Sequence, residues 1–309
     1  MQNSKKPSIL IVGTGAMACL FASLFAQWNI NVSMLGSWKQ AINNINKNGV
    51  KLTDLKKKTH AYHAFASDNP EDFVSAKVAL VLVKSWQTKR AAEQLNTCLA
   101  DDGVCITLQN GLGNDIILSS VLGKHRIIRG ITTYGATIIE PGWIQLGGIG
   151  EIIIEKYPIS PPLYDLLQQT NLPYKISEDI EKDIWEKLLI NATINPLTAI
   201  LDIQNGDLLK FPYTKRILKS IITEVIQVAH TQNINFSPDK QYKRVIDVLE
   251  MTSHNRSSML QDIDRHAPTE IENINGAIVR LGEAKHINTP VNQSLVDLVK
   301  TIAQIRHSL

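Results

Sequence analysis

The segment Ile9-Leu10-Ile11-Val12-Gly13-Thr14-Gly15-Ala16-Met17-Ala18 constrains the fold more than any other stretch of the chain. Its first four residues, rich in β-branched side chains, read as a strand buried on both faces. The turn that follows has the form G-x-G-x-x-A and opens the helix-favouring stretch Cys19–Ala26. In such a strand–turn–helix the first glycine permits the tight turn and the second lets the backbone approach a pyrophosphate. A small third residue allows close strand–helix packing. Free N–H groups and the helix dipole then supply an anion site. Gly13, Thr14, Gly15, Ala16, Met17 and Ala18 are therefore candidate dinucleotide contacts, although a tight turn that binds nothing would have the same form.

With Lys5-Lys6 ahead of it, Ser8–Trp28 also has the length and charge of a signal peptide or membrane helix. A strand-like run and a glycine turn have no place in the first half of such a helix, so strand–turn–helix is the reading adopted. No other stretch is long enough to span a bilayer, and no membrane association is expected. Lys+Arg number 32 against 29 Asp+Glu, an excess too small for a nucleic-acid footprint or a polybasic anchor. Lys5-Lys6 and Lys56-Lys57-Lys58 read as solvated surface. Cys19, Cys98 and Cys105 have neither metal-ligand nor redox spacing, so no metal site is expected, and the odd, sparse set fits a reducing cytoplasm.

At 309 residues the chain exceeds what one core usually supports, and two domains are expected. After the opening unit, Asn31–Leu35, Lys77–Val83, Gly103–Leu108, Arg126–Thr133 and Glu151–Glu155 read as strands. Helical stretches such as Thr88–Leu99 lie between some of them. This alternation predicts a Rossmann-type, doubly wound, mostly parallel α/β sheet. The prolines of Tyr157–Pro162 break the pattern. Beyond about Asp179 only amphipathic patterns recur, at Ile180–Ile194, Thr214–Thr231, Lys240–Met251, Thr269–His286 and Asn292–Ile305. The expected division is 1–178, the nucleotide-binding domain, and 179–309, an all-helical substrate domain, with the boundary between 158 and 180.

Near the end of the second strand an acid would take the ribose 2′-hydroxyl of NAD. Here Leu35-Gly36-Ser37-Trp38-Lys39 carries none, and Ser37 with Lys39 suits the extra phosphate of NADP, though a ligand-free surface lysine would read alike. Lys84 and Asn110 follow two further strands at the end where ligands bind in open α/β sheets. In Trp185–Pro196, Lys187, Asn191 and Asn195 are spaced i, i+4, i+8 and share one helix face. That row serves equally as a cation with two amides for a small polar ligand, or as a solvated stripe whose helix ends at Asn195 before Pro196. Pro268-Thr269-Glu270 reads as a helix start, with Glu270 favourable to its dipole.

Taken together, the segments GTGAMA, VKSWQ, LQNGLG, WEKLLINATINPLTAIL, NGDL, SSMLQD and TEIENINGAI resemble the ketopantoate reductase (2-dehydropantoate 2-reductase) family, in order and over nearly the whole chain. The resemblance implies an NADPH-dependent oxidoreductase that reduces a small 2-keto acid, 2-dehydropantoate, to pantoate in pantothenate and coenzyme A synthesis. It implies Lys187 as proton donor with Glu270 beside it and close to the cofactor. Asn110, Asn191, Asn195, Asn205 and Ser258 would be substrate contacts, and Lys84 and Asn110 would stand at the edge of the cofactor site. Where the family often carries an arginine for the 2′-phosphate, Gly36 and Ser37 stand here. Tyr134 replaces a small or histidine side chain and would reshape the substrate pocket. The alternatives are a reductase of another branched 2-keto acid and a non-catalytic NADP(H) sensor. A monomer or homodimer is the expected assembly.

Overall fold

The structure, a computed structural model, describes residues 8–157 and 162–308. Lys5-Lys6 and Pro158–Pro161 of the proline cluster lie outside the described residues. By packing, the chain forms two compact units. One takes the chain up to Gln109 together with Asn114–Ile180, and the other takes Asn110–Gly113 together with Glu181 onward.

The first unit contains strands β1 (Ser8–Val12), β2 (Asn31–Leu35), β3 (Val50–Thr53), β4 (Thr59–Tyr62), β5 (Phe65–Ser67) and β6 (Ala76–Val81). β7 (Leu99–Thr107), β8 (Ile127–Thr132), β9 (Gly135–Glu140), β10 (Trp143–Gly148), β11 (Ile152–Glu155) and β12 (Tyr174–Ser177) follow. Its helices are α1 (Ala16–Ala26), α2 (Lys39–Asn48), α3 (Thr88–Cys98), α4 (Asn114–Leu122) and α5 (Pro162–Gln168). Eight strands form one sheet in the order β12-β11-β8-β7-β6-β1-β2-β5. The run from β5 to β8 is parallel throughout, and β11 pairs antiparallel with β8. The order is that of a Rossmann-type sheet, and it reverses between β1 and β6, so the chain leaving β1 opens onto the ligand-binding end.

The apolar run of β1 follows from burial on two sides. Ile9 and Ile11 enter the core that holds α1, whereas Leu10 and Val12 enter the core that holds Ala91 and Leu95 of α3 and Leu118 of α4. A second, four-stranded sheet, β4-β3-β10-β9, was not expected from the sequence. Val50 and Leu52 of β3 and Ile144 and Leu146 of β10 join the α1 core from the far side. Helix α1 is thus enclosed between two sheets, with every residue from Ala18 to Phe25 buried. That enclosure is why its sequence is apolar all round and imitates a membrane helix. Among the described residues no helix is long and apolar enough to cross a membrane.

The second unit is helical: α6 (Ile180–Leu201), α7 (Pro212–His230), α8 (Pro238–Met251), α9 (Ser258–Asp264), α10 (Asn275–Ala284) and α11 (Pro290–Ser308). Leu188, Leu189 and Ala192 of α6 pack with Ile221 and Val225 of α7, Ile278 of α10 and Val299 of α11. Two expectations need correction. Thr269–His286 is not one helix, because Glu270 to Ile274 form a turn and α10 starts only at Asn275. Nor does α6 stop at Asn195; it continues through Pro196 to Leu201.

Candidate functional site

Proline inside a helix removes one N–H and leaves the carbonyl four residues earlier without its donor. For Pro196 that carbonyl belongs to Ala192, and the Nδ2 of Asn275 donates to it at 2.9 Å. The same Nδ2 also donates to Oδ1 of Asn292, whose own Nδ2 donates to Glu224 at 2.7 Å. Glu224 further accepts the backbone N–H groups of Val291 and Asn292 at the start of α11. This buried chain lets α6 run on past Pro196, so the row Lys187, Asn191, Asn195 is carried on one continuous element. At 1.5 Å rise per residue the row spans about 12 Å, enough to hold a small acid lengthwise.

At one end of the row stands Lys187. Desolvation pushes its ammonium down to about 8 from 10.5, and the Glu270 carboxylate opposes that fall by Coulomb attraction. Glu270 is buried and accepts a hydrogen bond from Asn110 Nδ2 at 3.2 Å. The turn that carries Glu270 is held in place by Asn110–Gly113. Leu112 N donates to the Asn273 carbonyl at 2.9 Å, and Asn273 Nδ2 donates back to the Leu112 carbonyl at 3.4 Å. Gly111 is required there, since its φ is +82° and a Cβ would sit 2.3 Å from the Asn273 oxygen. This contact explains why four residues that follow β7 pack with the helical unit.

Toward the other end, Ser257 Oγ lies 2.7 Å from Thr198 Oγ1, which donates to it, and 3.5 Å from the Asn195 carbonyl. Ser257 caps α9 by accepting from Leu260 N. The next residue, Ser258, is exposed at the first position of that helix. Asn205 is buried. Its backbone N–H donates to the Asn255 carbonyl and its Nδ2 to Thr252 Oγ1, both at 2.9 Å. Its Oδ1 is a buried acceptor with no donor among the described residues. The segment 252–258 therefore holds Asn205 through Thr252 and Asn255 and meets the Asn195 carbonyl through Ser257, with Ser258 exposed beside it. Lys187, Glu270 and Asn110 form a second group, and Asn191 lies between Lys187 and Asn195 on α6.

The glycine turn lies in the other unit. Gly13 has φ +128°, and a Cβ there would meet Ala18 Cβ and the Leu82 backbone at 3.3 Å. Gly15, the N-cap residue of α1, has nothing within 4 Å of its Cβ position and no side chain to cap the helix. A closed floor with an open rim is the shape a pyrophosphate needs over the first N–H groups of a helix. Ser37 is exposed, and Lys39 opens α2 with its ammonium ion-paired to Asp68. Lys84 precedes a single 3₁₀ turn, Ser85–Gln87, anchored by Gln109, whose Nε2 donates to the Val83 carbonyl at 2.9 Å and to Thr88 Oγ1 at 2.8 Å. Tyr134 does not have a free ring. It is buried edge-on against Phe21 at 5.9 Å and belongs to the core around α1.

Sequence reasoning missed Asn275, Asn292, Gln109 and Asp68. Pro196 was the available signal for Asn275, because a proline within a helix demands a donor from elsewhere. Gln109 and Asp68 left no such mark, since the partners that matter here, Val83 and Thr88 for Gln109 and Lys39 for Asp68, are distant in sequence. Burial also raises the thiols of Cys19 and Cys105 to about 12, so both are inert packing groups.

Residues 9–158 match the family Ketopantoate reductase PanE/ApbA, and residues 179–303 match Ketopantoate reductase PanE/ApbA C terminal. A 2-dehydropantoate 2-reductase of Archaeoglobus fulgidus is 32% identical over 299 residues, covering 95% of this chain and 97% of its own. One from Pyrococcus horikoshii is also 32% identical over 300 residues, covering 94% and 96%. Among solved structures, a PanE/ApbA family ketopantoate reductase from Ralstonia eutropha JMP134 superposes with a TM-score of 0.90 at 26% identity, over 97% of this chain and 99% of its own. A ternary complex of D-mandelate dehydrogenase with NADH and anilino(oxo)acetate shares the fold, with a TM-score of 0.92 at 24% identity over 97% and 99%. With both family segments matched in order along one chain, the protein belongs to the ketopantoate reductase PanE/ApbA family.

Proposed function

We propose that the protein reduces 2-dehydropantoate to pantoate with NADPH, and that Lys187 is the proton donor. The observation that carries this reading is a lysine whose ammonium titrates near 8, next to a buried carboxylate and on one helix face with two asparagines. Reduction of a ketone leaves an alkoxide-like oxygen that needs a proton or positive charge at that moment. An ammonium with a pKa about 8 is still largely protonated at neutral pH, yet it is a far stronger acid than an ordinary lysine. Glu270 keeps it charged, and Asn110 holds Glu270. Asn191, Asn195, Asn205 and Ser258 offer neutral donors and acceptors to the hydroxyl and carboxylate of the acid, and the orphaned Oδ1 of Asn205 suits a ligand hydroxyl.

NADPH, when bound, supplies the reducing equivalent. Gly13, Thr14, Gly15, Ala16, Met17 and Ala18 would hold its pyrophosphate, Ser37 and Lys39 its 2′-phosphate, and Lys84, Asn110 and Glu270 its reactive half. On this reading residues 1–178 are the cofactor-binding domain and 179–309 the substrate domain. The enzyme would work in the cytoplasm as a monomer or homodimer.

The test is the loss of NADPH absorbance when 2-dehydropantoate is added, with NADH in parallel and a panel of other 2-keto acids. Oxidation of NADPH that is fastest with 2-dehydropantoate is the expected result. Faster turnover of another 2-keto acid would overturn the substrate, and cofactor binding without oxidation by any acid would overturn catalysis in favour of a sensor.

A further inference from the structure

In a sheet of this topology the 2′ substituent of the adenosine ribose meets the turn after the second strand, where an acid selects the hydroxyl of NAD. In this chain that position is Gly36, and a side chain there would have to displace that of Thr14. A Cβ there would lie 2.6 Å from Thr14 Cγ2 and 2.7 Å from Thr14 Oγ1. The residue that follows the glycine of the pyrophosphate turn thus fills the place of the selecting side chain. Charge must reach the 2′ position from a neighbouring element.

The neighbouring element is β5. It pairs parallel with β2, Leu35 opposite Ser67, and Gly36 N donates to the Ser67 carbonyl at 3.0 Å. The next residue, Asp68, is therefore beside Gly36-Ser37 at the ligand end of the sheet. Its carboxylate takes the Lys39 ammonium as its ion-pair partner, and its backbone carbonyl accepts from Gln94 of α3 at 3.5 Å. Lys39, together with the more distant Arg90, holds the Asp68 carboxyl below its ordinary range, so it is ionised wherever the protein is folded and near neutral pH.

Resting on the dinucleotide-binding part of the function proposed above, we infer that Asp68 is a specificity-determining residue that limits the preference for a 2′-phosphate. It neutralises Lys39, the cation that would meet the phosphate, and places a negative charge of its own at that turn. A 2′-phosphate must draw Lys39 away from Asp68 and tolerate the carboxylate, whereas a 2′-hydroxyl meets neither cost. If a phosphate of about two charges came within about 6 Å of one carboxylate charge, through a water-like dielectric, the repulsion would amount to roughly five- to tenfold in affinity. The effect is screened by salt.

Adenosine 2′,5′-bisphosphate and 5′-AMP are the probes, titrated calorimetrically against the full chain at low and at high salt. Asp68→Asn should bind the bisphosphate roughly five- to tenfold more tightly than wild type and 5′-AMP equally well, with the gain shrinking at high salt. Lys39→Ala should weaken the bisphosphate alone. The unchanged 5′-AMP affinity certifies that each variant is folded at the site. Asp68→Asn with both affinities within twofold of wild type, or with weaker bisphosphate binding, overturns the inference and leaves the proposed reaction intact. Failure of wild type to bind either nucleotide overturns the inference and the cofactor assignment together. Because no keto acid is present, a wrong substrate assignment has no bearing on the outcome.

Discussion

The titration of Lys187 makes the proposed proton-donor role quantitative. With its ammonium at about 8, the active protonated fraction is about nine-tenths at pH 7 and one half at pH 8. It falls to about one-tenth at pH 9 and then tenfold for each further unit. An ordinary lysine would remain more than nine-tenths protonated at pH 9. The kcat/KM for the keto acid, followed by absorbance from pH 6 to 10, reports the group before the acid binds and should therefore be level at low pH and descend with unit slope about a midpoint near 8. Glu270→Gln removes the charge that holds the ammonium up, so its midpoint should move lower. Lys187→Arg keeps a charge that does not titrate in this range, so the descending limb should disappear whatever happens to the plateau. A wild-type rate level from pH 7 to 9.5 would refute the argument. A limb with the same midpoint in Lys187→Arg would assign it to another group.

The same shift has a stability counterpart. The unfolded lysine binds its proton more tightly than the folded one, so the stability of the wild type relative to Lys187→Met should rise with pH between 8 and 10.5, by about 3 kcal/mol in all. Chemical denaturation of both proteins at pH 7 and 10.5 reads this directly, and a parallel pH dependence would contradict it. Gly13→Val should cost about 1–3 kcal/mol through the strained φ of +128° and also weaken 5′-AMP binding, whereas intact binding would remove the turn from the cofactor site. Asn205→Ala should raise the KM for the keto acid up to about tenfold, the worth of one hydrogen bond, with the pH midpoint unmoved, and an unchanged KM would take Asn205 out of the substrate contacts.

Much of this protein is legible in order along the chain, because its information is local. The strand–turn–helix of Ile9–Ala26 is specified by β-branching, two glycines and an apolar helix, all within one segment. The period of Lys187, Asn191 and Asn195 likewise places three polar side chains on one face from spacing alone. Local evidence fails where the partner is non-local. A helix start at Pro268 is the expected reading of Pro-Thr-Glu, yet that segment is a turn, held by hydrogen bonds that Asn273 exchanges with Leu112. A helix end before Pro196 is equally reasonable, yet Asn275, 83 positions along the chain from Ala192, supplies the donor that this carbonyl loses to the proline.

The sequence by itself determined the strands β1, β2, β6, β7, β8 and β11 of the large sheet, the Rossmann-type turn and the shared face of Lys187, Asn191 and Asn195 on α6, since each depends on neighbours within a few residues. Only the tertiary structure decided that α1 lies between two sheets, that Asn110–Gly113 packs with the helical unit, and that Lys39 is ion-paired to Asp68. It also decided the acidity of Lys187. Desolvation and the charge of Glu270 are properties of the volume around an atom, and the residues that fill that volume are assembled from segments far apart in the chain.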